Sequence, residues 1–277
     1  MKTQADKEEV VRKLRPIDDA LFEVLAEDIE VIQEMLRVIL SDKGLIVDRV
    51  TPQRSVPNFL GRAVRLDAWC HLGDGRECNV EVQRADNDDH LRRVRYNSSG
   101  ITWTETEKGT DFKNIPDLCV IYISEFDFLG GGHTIYHIDK VVRETGLCIS
   151  DGLEEIFVNT NIDDGSAIAD LMRCFLQSDV SNPQFPALSR KMNGIKNTKE
   201  GVLGMCAVLD KYYKEEVQAV REEALAEGHA EGKERTENVF AQLAEAMHKH
   251  NCPSEDFSRV MSDAAFREKM KQKYGIE

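Results

Sequence analysis

Apolar residues occupy every second position along two short stretches of the chain, residues 64–72 and 78–83. This alternation is typical of β-strands that bury one face, because successive side chains of a strand point to opposite faces. The triplet Gly73-Asp74-Gly75 lies between the two stretches, and glycine readily adopts the positive φ that short hairpin loops need. The pattern therefore predicts a β-hairpin with a three-residue loop.

The length of the loop decides which side chains meet across the hairpin. With the triplet as the loop, Leu72 pairs with Arg76, Asp67 faces Glu81, and Trp69 and His71 share the face of Asp67. Directly opposed residues have Cβ atoms roughly 4.5–5.5 Å apart, where like charges repel. Two carboxylates at that distance usually share a cation or a proton. A loop of two or four residues would instead put the two acids on opposite faces.

The remaining periodicity predicts a helical start, a sheet and a mostly helical C-terminal part. Apolar residues three and four apart predict a single long helix over residues 18–40. Strands are predicted at 46–50, with an interruption from 52 to 61, at 118–123 as a buried central strand, and at 134–138 and 155–158 as additional strands. A helix is predicted at 86–107, although its Asn97-Ser-Ser-Gly100 stretch is unfavourable for a helix. Further helices are predicted at 167–176, 199–226, 238–248 and 257–270. Two Glu-Gly pairs between residues 226 and 232 indicate a linker helix or a hinge.

Composition narrows the class of protein. The seven cysteines are scattered and form no Cys-x-x-Cys pair, which argues against a disulfide framework or a zinc site and favours a reducing cytoplasm. The N-terminus is charged, and no run of about 18 apolar residues occurs. We therefore expect an unexported cytoplasmic protein with no membrane segment.

Several motifs in order resemble those of one nuclease family. Asp67 is followed at a distance by Glu81-Val-Gln83, and the surrounding segments are Ile17-Asp-Asp-Ala-Leu-Phe22, Arg92-Arg-Val-Arg-Tyr-Asn-Ser98 and the apolar strand that begins at Leu118. Together they resemble the PD-(D/E)XK nuclease family transposases, the recombination-promoting nuclease group. The resemblance covers about residues 15–130, and more loosely continues into the tail.

The resemblance implies an α/β fold, a restriction-endonuclease-like mixed sheet flanked by helices, with a helical C-terminal extension. From the change to a mostly helical pattern near residue 167, we expect a nuclease-like domain at residues 1–165, a helical extension at 166–225 and a charged helical tail at 226–277. The terminal helices are candidates for docking on a partner or on a second copy of the chain.

The resemblance also assigns roles to residues. Asp67, Glu81 and Gln83 are the implied catalytic residues. Asp67, Glu81 and the backbone carbonyl of Val82 would bind Mg²⁺, with Mn²⁺ as the alternative ion, since Mg²⁺ prefers oxygen ligands. Asp19 matches the acidic residue of the family's first helix, and Glu23, one turn later, is the competing choice. Gln83 stands where most of the wider superfamily has Lys, and a neutral amide cannot supply a full positive charge.

Charge both opposes and supports a nucleic-acid partner. The net charge is −14, whereas phosphate contacts normally come from Lys and Arg. Basic residues nevertheless cluster near the hairpin, and the possible phosphate contacts are Arg65, Arg84, Arg92, Arg93 and Arg95. The alternative is that these arginines are ordinary solvated charges on the helix surface.

The expected function is a metal-dependent endonuclease that hydrolyses DNA phosphodiester bonds and promotes recombination or transposition, associated with the bacterial nucleoid if active. The alternative is a nuclease-fold protein that no longer cleaves and acts as a DNA-binding or protein-interaction module. The acidic charge and Gln83 favour the alternative, while the two acids in matching register favour the enzyme.

Overall fold

The computed structural model describes residues 3–56, 63–250 and 252–276. The chain divides into two compact units, Met1–Asp210 and Lys211–Glu277. The domain boundaries expected near residues 165 and 225 stay predictions. Within the described ranges, no helix is both long enough and apolar enough to cross a bilayer.

The helices are α1 (Gln4–Lys13), α2 (Asp19–Ala26), α3 (Ile29–Ile39), α4 (His90–Glu105), α5 (Ala167–Phe175), α6 (Pro186–Asn197), α7 (Lys199–Lys249), α8 (Ser254–Ser262) and α9 (Ala264–Tyr274). The strands are β1 (Val47–Val56), β2 (Val64–Leu72), β3 (Glu77–Gln83), β4 (Leu118–Ser124), β5 (Ile135–Ile138), β6 (Lys140–Val142), β7 (Leu147–Ile149) and β8 (Leu153–Asn159). Residues 57–62, which include the last part of the interruption predicted at 52–61, lie outside the described ranges.

Six of the strands in the described ranges form one mixed sheet, in the order β1-β2-β3-β4-β8-β5. Strands β1, β2 and β3 are antiparallel neighbours, whereas β4 runs parallel to both β3 and β8. Every residue of β4 is buried, as the apolar run at 118–123 predicts for a central strand covered on both faces. The predicted α/β class, a mixed sheet flanked by helices with further helices after it, is confirmed.

One face of this sheet is covered by α4. Val94 and Ile101 of α4 belong to the same buried cluster as Trp69, Val120 and Tyr122 of the sheet. Helix α2 contacts β1, β2 and β3, and α3 in turn packs against α5 and α6. The hairpin formed by β2 and β3 therefore lies between helices.

The prediction of one helix over residues 18–40 was wrong. The chain leaves helical geometry at Asp28, whose φ is −99° and ψ 107°, and its side chain accepts a hydrogen bond from the N–H of Glu30 at 3.1 Å. Asp28 thus caps a new helix, an arrangement that aspartate favours because its carboxylate satisfies a free N–H group of the first turn. The break allows α2 and α3 to pack in different directions.

Two other expectations need correction, and one is confirmed. Strand β1 continues through Pro52 to Val56, because an edge strand tolerates a residue without an N–H. The helix predicted at 86–107 is confirmed as α4, which runs through the Asn97-Ser-Ser-Gly100 stretch, where the hydroxyls of Ser98 and Ser99 donate to the carbonyl of Arg95. The strand β8, expected as an addition beyond the nuclease core, pairs directly with central strand β4.

Some C-terminal elements also differ from the periodicity analysis. Helix α6 and the short β6–β7 hairpin were not predicted, and the two helices predicted at 199–226 and 238–248 are one continuous helix, α7. The predicted helix at 257–270 is split between α8 and α9. The helix at 167–176 is confirmed as α5.

Gly201 marks a close approach between α6 and α7. A Cβ added there would lie 2.7 Å from the Cα of Ile195 and 2.8 Å from its carbonyl oxygen, whereas a Cβ at Gly204 would meet nothing within 4 Å. We expect Gly201→Ala to lower the free energy of unfolding by about 1–3 kcal/mol through overpacking. Gly204→Ala is the matched control and should be neutral or stabilise by up to about 1 kcal/mol. The free energies of unfolding can be measured by chemical denaturation. Equal values for the two variants would contradict the close approach of α6 and α7 at Gly201.

Candidate active site

The register of the hairpin is the predicted one. The N–H of Leu72 donates to the carbonyl of Arg76 at 2.9 Å, and Gly75 has a φ of +91°. The antiparallel pairs run from His71 opposite Glu77 to Ala68 opposite Val80. The next positions along the two strands are Asp67 and Glu81, so both lie at the end of the hairpin that is remote from the loop.

The carboxylate of Asp67 accepts hydrogen bonds from both neighbouring strands. Its Oδ2 accepts a hydrogen bond from the N–H of Val82 at 3.0 Å, and its Oδ1 accepts one from Nε2 of Gln53 at 3.3 Å. Gln53 has a φ of +50°, a conformation that non-glycine residues rarely adopt and that often occurs at functional sites. The carboxylate of Asp67 is thus held between β1 and β3.

Glu81 is almost completely buried, with 5% of its surface exposed. Its Oε1 accepts a hydrogen bond at 2.7 Å from Nδ2 of Asn79, which is itself fully buried. Across the parallel pair, Glu81 is opposite Tyr122 of β4. A carboxylate in such surroundings carries a large desolvation cost when it is ionised.

Both carboxyl groups resist ionisation. The pKa of Asp67 is raised to about 7, first by burial and also by the charge of Asp19, against the opposing effects of the Val82 N–H and Gln53. The pKa of Glu81 lies well above its ordinary value, first because of burial and then because of the charge of Asp67. The two acids therefore act on each other electrostatically.

The two candidates for an accessory acid lie on α2. The charge of Asp19 contributes to the raised pKa of Asp67, and burial followed by the neighbouring Asp18 raises the pKa of Asp19 itself. Glu23 is half-buried and takes part in interactions of its own. The charge of Asp19 therefore acts on one of the hairpin acids.

Gln83 lies at the end of β3, opposite Ser124 of β4. Its Nε2 donates a hydrogen bond at 2.7 Å to the carbonyl of Ala85. The side chain is half-buried and neutral, so it brings no cationic charge to the two acids.

Four of the five arginines predicted to contact phosphate line one cavity of about 560 Å³, together with Glu81. They are Arg65, Arg92, Arg93 and Arg95. Arg93 is 30% exposed, forms an ion pair with Asp89 at 3.3 Å, and its positive charge lowers the pKa of Glu81. The cavity therefore places these four arginines close to Glu81.

Arg84 has different partners. Its guanidinium forms ion pairs with Asp18 at 2.5 Å and with Glu125 at 3.2 Å, and Glu125 is also bound by Arg15 at 2.8 Å. This network ties α2 to the segments that follow β3 and β4. Its role as a phosphate contact stays a prediction, although its charge is already shared with two acids.

Two residues around the acids were missed by the sequence analysis. Asn79 has the same strand parity as Glu81, so alternation alone could have placed it on this face. Gln53 gives no such signal, because its position depends on a positive φ in a non-glycine residue. Trp69 is buried in the cluster beneath α4, which accounts for it as a packing residue.

A mixed sheet with an antiparallel hairpin, helices on both sides and paired acids on that hairpin is consistent with a restriction-endonuclease-like fold. Residues 22–162, about half of the chain, match the model of the PD-(D/E)XK nuclease family transposases. The chain belongs to this family, as its motifs predict. Comparison with curated proteins and with solved structures gives no significant match.

The raised pKa of Asp67 predicts a pH dependence of stability in EDTA. An unfolded chain ionises this group near pH 4, whereas the fold keeps it protonated until about pH 7. The unfolded state therefore binds fewer protons between these values, and stability falls as the pH rises. From pH 5 to pH 8, we expect wild type to lose about 2 kcal/mol relative to Asp67→Asn.

Denaturation curves at several pH values measure this difference. Asp139→Asn, which changes an exposed carboxylate, is the control and should track wild type. Parallel stability curves for wild type and Asp67→Asn would show that the carboxyl group is not perturbed by the fold.

Proposed function

We propose that this protein is a Mg²⁺-dependent DNA endonuclease, with Mn²⁺ as a substitute, that hydrolyses phosphodiester bonds in recombination or transposition. The observation that carries the proposal is the pair Asp67 and Glu81, in which the charge of Asp67 acts on Glu81, beside a cavity lined by four arginines. Membership of a nuclease family supports the reaction class. DNA as substrate would associate the protein with the nucleoid in the cytoplasm of a bacterial cell.

The residues fit a hard divalent cation. Asp67 and Glu81 offer carboxylate oxygens from adjacent strands, and a bound cation would offset the burial that raises the pKa of each. Mg²⁺ is usually held by one or two carboxylates together with waters and substrate phosphate. We assign Asp67, Glu81 and the backbone carbonyl of Val82 as its ligands. When bound, the ion would lower the pKa of a water and polarise the phosphate.

The chain's own residues would bind and orient the DNA. Arg65, Arg92 and Arg95 line the cavity and would bind phosphate oxygens. Arg93 acts electrostatically on Glu81, so it is the best replacement for the positive charge that Gln83 lacks. Asp19 rather than Glu23 would be the accessory acid, because its charge acts on Asp67.

The second candidate function is a non-cleaving module that binds DNA or protein. It is favoured by Gln83, whose neutral amide already donates to the carbonyl of Ala85. In either case we propose that the C-terminal helices α7, α8 and α9 mediate homo-oligomerisation. The exposure of the apolar side chains Val217, Leu225 and Met261 supports this proposal.

Removal of either acid should abolish cleavage. We expect Asp67→Ala and Glu81→Ala to lower the rate of nicking of supercoiled plasmid by at least about 10³-fold in Mg²⁺ or Mn²⁺, because each removes a ligand of the ion that stabilises the transition state. Glu144→Ala changes an exposed acid in the β6–β7 loop and should cleave like wild type.

Two results would separate the candidate functions. Wild type that binds DNA but leaves plasmid intact at all concentrations of both metals would exclude the enzyme and favour the binding module. Cleavage that persists in Asp67→Ala and Glu81→Ala would exclude these residues as the active site.

Arg93 and Arg92 should have separable effects. Arg93→Ala removes the charge that acts on Glu81, so we expect kcat to fall by about 10²-fold. Arg92→Ala removes an exposed cation of the same cavity, so it should mainly raise KM and reduce the salt dependence of DNA binding by about one phosphate contact. Steady-state kinetics and binding at several salt concentrations measure both. Equal losses of kcat in the two variants would contradict the special role of Arg93.

A further inference from the structure

A second group of potential metal ligands lies at the loop end of the same hairpin. His71 of β2 and Glu77 of β3 are cross-strand partners, and Glu105 is the last residue of α4. One ligand atom from each of the three side chains lies within 4.8 Å of the others. Three elements that are separate in sequence thus converge on one point.

The polar atoms of this group are incompletely satisfied. Glu77 is buried, with 6% of its surface exposed, and its Oε1 lies 2.5 Å from Nδ1 of His71. Among the described residues, neither Oε2 of Glu77 nor Nε2 of His71 has a hydrogen-bond partner, although both atoms are buried. Buried polar groups are nearly always paired in proteins, so these atoms point to a missing ligand.

The charges of the group also favour a cation. Glu105 ends α4, where a negative charge is opposed by the partial negative charge of the helix C-terminus. Arg54 forms an ion pair with Glu105 at 2.8 Å and stacks on the ring of Trp69 at 3.5 Å. This arginine offsets the charge of Glu105 but does not satisfy the free oxygen of Glu77.

We propose that His71, Glu77 and Glu105 bind a divalent transition-metal cation of the Zn²⁺ class, at a site additional to Asp67 and Glu81. One imidazole nitrogen with two carboxylate oxygens suits Zn²⁺, whereas Mg²⁺ prefers oxygen ligands throughout. The side chains of His71 and Glu105 are 26% and 19% exposed, so water can reach a fourth position. The distance along β2 from His71 to Asp67 is about 13 Å, too far for one ion.

The ion would fasten the end of α4 to the loop end of the hairpin. The first half of the same helix carries Arg92, Arg93 and Arg95. An ion that fixes the end of α4 would therefore also hold these arginines in position around the cavity. The alternative is that His71 and Glu77 share a proton. In that case the protein would bind no transition metal at these three residues.

The test uses the full chain, stripped of metals, in an Asp67→Asn, Glu81→Gln background that disables the proposed nuclease site. Calorimetric titration with Zn²⁺ should show one equivalent bound, and Co²⁺ should give the absorption bands of a low-coordinate nitrogen and oxygen site. Failure of the proposed nuclease function would not affect this result, because the readout is metal binding alone.

Substitutions test which side chains bind the ion. His71→Gln and Glu105→Gln should each weaken Zn²⁺ affinity by at least about tenfold, whereas His137→Gln, which changes an exposed histidine, should leave it unchanged. Glu105 lies at a helix end, so Glu105→Gln decides the matter if His71→Gln does not fold.

Three outcomes would overturn the proposal. The background protein could bind neither Zn²⁺ nor Co²⁺ at micromolar concentration, as the shared proton predicts. Binding could remain unchanged in Glu105→Gln. Alternatively, Co²⁺ could show thiolate charge-transfer absorption, which would assign the ion to cysteines elsewhere in the chain.

Discussion

The pairing register of β2 with β3 is the constraint on which the candidate chemistry depends. Side chains of a strand alternate between the two faces of the sheet. A slip of one residue would therefore move Asp67 away from Glu81 and turn Trp69 to the face of the sheet that α4 does not cover. The loop fixes the register, because Gly75 adopts a φ of +91° and Leu72 hydrogen-bonds to Arg76. A single local feature therefore places acids at both ends of one hairpin face.

This arrangement carries an electrostatic cost that the fold only partly offsets. Glu81 and Glu77 are both buried, and the pKa of each is raised, with burial the first cause. The N–H of Val82 and the amide of Asn79 stabilise the ionised acids at one end. Such neutral donors reduce the desolvation cost but supply no net positive charge. A bound cation would supply that charge, which is why we interpret the hairpin as a metal-binding element.

Local patterns predicted the parts of the molecule that depend on neighbouring residues. The hairpin and its loop follow from alternation and two glycines, and β4 follows from an apolar run after Pro116. The break at Asp28 was missed because the apolar periodicity continues across it while the aspartate caps a new helix. The partners of Arg84 and the approach of Glu105 to His71 were also missed, since both depend on residues far apart in sequence that only the packed fold brings together.

Helix α4 connects the two ends of the hairpin, and its position determines what each end can do. Val94 and Ile101 pack on the sheet with Trp69 and Tyr122, which fixes the helix along the hairpin face. Arg93 near its start then acts on Glu81, while Glu105 at its end approaches Glu77. Because Gln83 brings no charge, the positive charge with which Arg93 acts on Glu81 depends on this packing and not on the strand that carries the acid. A substitution in the apolar contacts of α4 would therefore alter the electrostatics of the site without changing any of its acids.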